Sequence, residues 1–178
     1  MSLRHALLGL LAHGSASGYD LLGTFQGSLA NVWPATQSQL YGELNRLADA
    51  GLISVVAEGP RGRKEYAITD TGRAELQRWL TEEEPERNRR NDMLLRVFLL
   101  DLVEPAQARA FLDREAALAA ERHESLRKLD ESIEWDDSPL SRYGRLTLEW
   151  GLRATAMHRE WAEWAAARID AGGRRRGG

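Results

Sequence analysis

The chain has 178 residues, of which 43% are hydrophobic and 29% charged, a balance that excludes a disordered chain and allows one domain or two small ones. It contains no cysteine, which rules out disulfides and thiolate metal sites and fits a reducing cytosol. The formal net charge is −3, with seven Lys/Arg against seven Asp/Glu in residues 1–80 and 17 against 20 in residues 81–178, so neither half is a broadly basic binder of nucleic acid.

In chain order, Leu3, Ala6, Leu7, Leu10 and Leu11 recur at helical spacing between Ser2 and Gly14, which predicts a first core helix. No small-residue cleavage pattern follows this segment, so it reads as part of the fold and not as a signal peptide. Ser17 and Asp20 have capping-box spacing, Gly18 and Tyr19 open a second helix, and Leu21, Leu22, Phe25 and Leu29 give it an apolar face. Pro34 cannot continue that helix, and Trp33 is expected to pack beneath the next one.

The stretch from Thr36 to Thr69 carries the densest signals. Thr36 and Gln39 form an S/T-x-x-E/Q capping box, Gly51 supplies a left-handed stop, and Leu40, Leu44 and Leu47 share one stripe. Ser38, Gly42, Asn45 and Asp49 fall opposite that stripe, with Gln39, Tyr41 and Arg46 on its flanks. Two runs rich in β-branched and aromatic residues follow, 52–57 and 66–69, around a turn holding Arg61, Arg63 and Lys64. A capped helix followed by a hairpin with a cationic tip is the layout of a winged helix-turn-helix. Thr69 to Gly72 reads as the cap of a fourth helix, reaching Leu80.

Composition then changes. Residues 81–90 have no apolar side chain and include a proline, so they are taken as a linker between a 1–80 domain and a 91–171 domain. Residues 91–102 predict a short apolar helix. The longest apolar run of the chain, 93–103, is broken by Arg96 and Asp101 and falls short of the roughly 20 residues that span a bilayer, so a cytoplasmic location is expected. Pro105 sits at a first helical position, and Leu112, Ala119, Leu126 and Ile133 lie seven apart, suggesting coiled-coil-like pairing. Ser138 and Pro139 start a last helix with Tyr143, Leu146, Trp150, Ala154, Met157, Trp161 and Trp164 in steps of three and four. A helix of roughly 30 residues is about 45 Å long. It needs its neighbour, a second subunit or both to cover that stripe. Residues 172–178 are expected to be a disordered tail. The fold class is therefore mainly α: an N-terminal winged helix-turn-helix with a two-stranded wing, then an all-α domain of long helices.

Taken together, Gly18-Tyr19-Asp20-Leu21, Trp33, Gln39-Leu40-Tyr41, Leu44 to Leu47, Gly51-Leu52-Ile53, Arg63-Lys64-Glu65-Tyr66 and Thr69 to Gly72 resemble a PadR-family transcriptional regulator of the subgroup with a long C-terminal helical domain. Order and spacing agree over about 80 residues, with a looser match in the helices beyond. The resemblance implies a homodimer that binds a near-palindromic operator in double-stranded DNA, usually as a repressor, and is released by a small effector or another signal. Two departures stand out: Gly42 replaces a residue that is often Pro in such proteins, and Asn45 one that is often Lys or Arg.

On this reading Ser38, Gln39, Tyr41, Asn45 and Arg46 enter the major groove, while Arg61, Arg63 and Lys64 meet phosphates or the minor groove. The plainer alternative is a solvated helix face and a surface hairpin. Phe98, Leu112, Leu126, Trp150, Met157, Trp161 and Trp164 are assigned to a dimer interface or to a pocket for an apolar, aromatic effector. The four histidines have no metal-ligand spacing, and no catalytic motif or cofactor-binding loop occurs, so neither an enzyme nor a cofactor is expected. A protein-interaction adaptor that keeps the scaffold without using DNA is the alternative function.

Overall fold

The computed structural model describes residues 2–28, 35–59, 62–85 and 90–173, with the side chains of residues 2, 27, 28 and 170–173 left aside. The elements are α1 (Ser2–Ala12), β1 (Ala16–Ser17), α2 (Gly18–Ser28), α3 (Gln37–Asp49), β2 (Ile53–Glu58), β3 (Lys64–Ile68), α4 (Asp70–Glu82), α5 (Asp92–Phe98), a 3-10 turn (Leu100–Leu102), α6 (Pro105–Ser132) and α7 (Pro139–Gly173). They form two units, residues 1–87 and 88–178.

In the first unit, helices α1 to α3 pour their leucines into one core with the start of the wing. Leu7, Leu8 and Leu11 meet Leu21 and Phe25, Leu40, Leu44 and Leu47, and then Leu52, Ile53 and Tyr66. Leu3, Ala6 and Leu10 lie at its margin, so the buried stripe of α1 is centred nearer Leu8 than the sequence spacing suggests. The sheet has three strands, all antiparallel, in the order β1-β3-β2. Ala16 pairs with Tyr66 and Ser17 with Glu65, which adds a strand to the two-stranded wing that was expected. A bulge between Val55 and Ala57 interrupts the β2–β3 register and leaves Val55 and Val56 exposed.

Local punctuation fixes how the wing is entered and left. Gly51 takes φ +69°, the left-handed conformation that ends α3 without steric penalty. Thr69 caps α4 by accepting from the Gly72 N–H at 3.1 Å and donates its own hydroxyl to the Gly51 carbonyl at 2.8 Å. Gly72 is buried against the entry to β2: a Cβ there would stand 2.1 Å from the Leu52 carbonyl oxygen. On the far side of α1, the ring of His5 stacks on Trp79 with centroids 4.4 Å apart, and its Nε2 lies 3.4 Å from Glu75. Hydrogen bonds from Arg78, with His5 adding, hold the Glu75 carboxyl below its usual range.

The second unit is dominated by α6 and α7, whose partners run in opposite order. Glu115 meets His158 at 3.6 Å, His123 Nδ1 lies 3.1 Å from both the Leu152 carbonyl and the Thr155 hydroxyl, and Leu126 packs against Gly151. Ala108, Leu112 and Ala119 of α6 and Leu148, Ala162 and Ala166 of α7 are buried. The sevenfold spacing of α6 therefore serves packing within the chain, where Leu112 is 1% exposed. The predicted 91–102 helix divides at Leu99, where α5 stops and a 3-10 turn takes over through a Leu102 N–H to Leu99 carbonyl bond of 3.1 Å. The α7 helix includes Gly172 and Gly173; residues 174–178 of the expected tail lie outside the described residues, as do Leu29, Trp33, Pro34 and residues 86–89 of the expected linker.

Candidate nucleic-acid interface

Helix α3 presents what its stripe leaves over. With Leu40, Leu44 and Leu47 buried, Ser38, Asn45 and Asp49 are exposed on the opposite side, and Arg46 projects with 77% of its side chain in solvent. The capping box is complete: the Thr36 hydroxyl accepts from the Gln39 N–H at 3.3 Å, and Gln39 Oε1 accepts from the Thr36 N–H at 2.9 Å. This commits the carbonyl end of Gln39 to holding the helix start, so its amide NH2 is what remains for a ligand. Arg46 donates to Glu43 at 2.8 Å, which anchors the guanidinium stem along α3.

Tyr41 departs from the polar-face assignment. It is half-buried, and its ring lies so near Gly18 that a Cβ on that glycine would be 2.6 Å from Tyr41 Cε1. The ring thus seats the start of α2 against α3, the two helices of the helix-turn-helix. Burial pushes the Tyr66 phenol up, with Tyr41 adding to the shift.

On the wing, Lys64 is exposed opposite Glu58 in the ladder. Arg63 turns toward α2 and donates from Nη2 to Asp20 at 2.7 Å. Asp20 also accepts from the Ser17 hydroxyl at 2.7 Å, and these bonds, Ser17's first, hold its carboxyl below the usual range. Ser15 donates to Glu65 of β3. Arg63 and Lys64 therefore stand among carboxylates, and the Asp20–Arg63 pair escapes sequence reading because the two are 43 residues apart. Arg61 lies outside the described residues.

Residues 7–78 match the Transcriptional regulator PadR-like family, and residues 89–170 match the family described as Virulence activator alpha C-term. The Negative transcriptional regulator PadR of Bacillus subtilis is 30% identical over 177 residues, spanning 94% of this chain and 97% of that protein. The chain belongs to the PadR-like family of transcriptional regulators. The crystal structure of Bacillus subtilis PadR in complex with operator DNA superposes with a TM-score of 0.81 at 28% identity, covering 95% of this chain and 99% of that one. The same protein in complex with p-coumaric acid gives 0.83 at 28% identity, covering 96% and 99%. Winged-helix architecture, helical second unit and family thus agree with the reading of the sequence.

The second unit of this PadR-like chain carries the other predicted site residues. Trp150 is 74% exposed, Met157 62% and Trp164 51%, on one stripe with Tyr143 and Leu146, which are also exposed. Trp161 is half-buried, with its ring tilted against His158 at 6.0 Å. Arg168 lies over the Trp164 ring at 3.7 Å, so one face of that indole is already covered. Leu126 is half-buried in the α6–α7 seam, whereas Phe98 of α5 is 81% exposed. The structure separates these residues into an exposed α7 stripe, an exposed α5 surface and an interior seam. Among the described residues no helix is long and apolar enough to cross a membrane.

Proposed function

We propose that this chain is a cytoplasmic, sequence-specific repressor that binds a near-palindromic operator as a homodimer and acts by binding, without catalysis. The observation that carries the reading is the polar face of α3, held in place by a complete capping box and set on a three-leucine anchor, in a chain that matches a negative transcriptional regulator along almost its whole length. Ser38, Asn45 and Arg46, with the Gln39 amide, read base edges; Lys64, Arg61 and Arg63 meet phosphates. Tyr41 contributes at most its hydroxyl. Residues 1–80 form the DNA-binding domain, 81–90 the linker and 91–171 the dimerisation domain. The exposed α7 stripe and Phe98 pair two copies, and the aromatic rings there suit a small, flat, apolar effector. The full-length similarity to PadR supports this reading over a scaffold adaptor that ignores DNA.

The test is retardation of genomic fragments from the chain's own promoter region across a salt series. If a dimer engages about eight phosphates, log K falls against log[salt] with a slope of about −7. Absence of any retarded fragment at low salt refutes the proposal.

A further inference from the structure

Gly42 stands in the interior of α3, where glycine weakens a helix relative to alanine. Among the described residues nothing requires it: a Cβ built there meets no heavy atom of theirs within 4 Å, whereas at Gly18 and Gly72 the added carbon would collide with Tyr41 and Leu52. Gly9 on α1 and Gly23 on α2 have similar open space, so room alone does not single out Gly42. Its position does. Gly42 falls on the side of α3 opposite the leucine anchor, near Ser38 and Asn45, and borders a groove of about 480 Å³ that it lines with Ser38, Gln39, Glu43 and Arg46 of α3, Ala35, and Leu3 of α1.

We propose that Gly42 is the point of closest approach between α3 and DNA, where the edge of a base pair in the major groove lies against the helix backbone. This deepens the DNA-binding reading above and rests on it. Charge favours a base edge over a phosphate. Asp49 shares the face, and the Arg46 guanidinium is neutralised by Glu43, so the surface around Gly42 offers no net cation to a phosphate. Ser38 and Asn45 instead flank it with short hydrogen-bonding groups suited to base edges. Where such proteins often carry Pro, the bare Cα of this chain lets the helix axis sit deeper, and a methyl here would lift α3 out of that deeper seat, from which its neighbours read the bases.

The experiment compares Gly42→Ala, Gly42→Ser and the control Gly9→Ala in the full chain, by thermal unfolding without DNA and by binding to a retarded genomic fragment and to an unrelated duplex of equal length. Gly42→Ala and Gly9→Ala both raise the unfolding midpoint by several degrees. Gly42→Ala and Gly42→Ser lose about tenfold or more in affinity for the specific fragment while holding the unrelated duplex within about twofold, and Gly9→Ala binds like the parent. Unchanged affinity of both Gly42 variants for the specific fragment overturns the proposal. Equal loss on both duplexes also overturns it, by assigning the contact to phosphate. A parent chain that retards nothing sinks the underlying DNA reading, a result distinguishable from either of these.

Discussion

Replacing Trp150 by alanine separates the folding of the chain from its assembly. The side chain is 74% exposed, so the helix that carries it owes little to the indole. A tryptophan buries up to about 250 Å². Roughly 185 Å² of it is then available for a second copy to cover, an upper bound of about 4–5 kcal/mol at ~25 cal/mol per Å². Alanine truncation at the centre of an interface typically costs about 2–4 kcal/mol, and a twofold dimer carries the change twice. The expected result is a dissociation constant for the dimer raised about a thousandfold or more. Sedimentation velocity over a nanomolar to micromolar series measures it, with circular dichroism confirming unchanged helix content. A dissociation constant within about threefold of the parent would refute the assignment of the α7 stripe to the dimer.

Within the first unit, Gly72→Ala drives a carbon into the Leu52 carbonyl oxygen at 2.1 Å, and backbone cannot yield as a flexible side chain can. Its denaturant midpoint should fall by an amount equivalent to about 3 kcal/mol or more, and an unchanged midpoint would disprove the close packing of α4 on the wing entry. On DNA, Arg63→Ala should weaken binding to all sequences and flatten the salt slope, while Asn45→Ala should alter sequence preference; a selection experiment returning the parent's site from Asn45→Ala would remove that residue from the readers. Glu124 titrates at about 2 in place of the usual 4.5, chiefly because Arg127 hydrogen-bonds its carboxylate, with Lys128 adding. A lowered native value stabilises above about 4.5 and is lost as the pH falls through about 2. Glu124→Gln should therefore flatten the helix-content curve between those limits at low salt, and an unaltered curve would count against the Arg127 pairing.

Legibility followed distance along the chain. The α3 cap at Thr36 and Gln39, the stop at Gly51 and the α4 cap at Thr69 are each written within four residues, and all three are present as the sequence implied. β1 could not be read, because two residues are too few to show alternation and exist as a strand only through Tyr66 and Glu65. The Asp20–Arg63 pair was invisible for the same reason, since neither side chain carries a local mark of its partner. Leu112 shows the limit of a sevenfold repeat, which describes any helix pairing and does not say whether the partner belongs to the same chain; its side chain is buried within one chain. Tyr41 illustrates a subtler limit: flank position fixed its direction, but only the proximity of Gly18 decides that the ring serves packing first.

β1 makes the wing something other than a loose finger. With Glu65 and Tyr66 of β3 paired to the two residues that precede α2, and Arg63 tethered across the same junction, that part of the hairpin is set like a jig before any duplex is met. Little conformational freedom is left at that junction, so on a duplex that the wing meets there, adjustment would fall to the double helix.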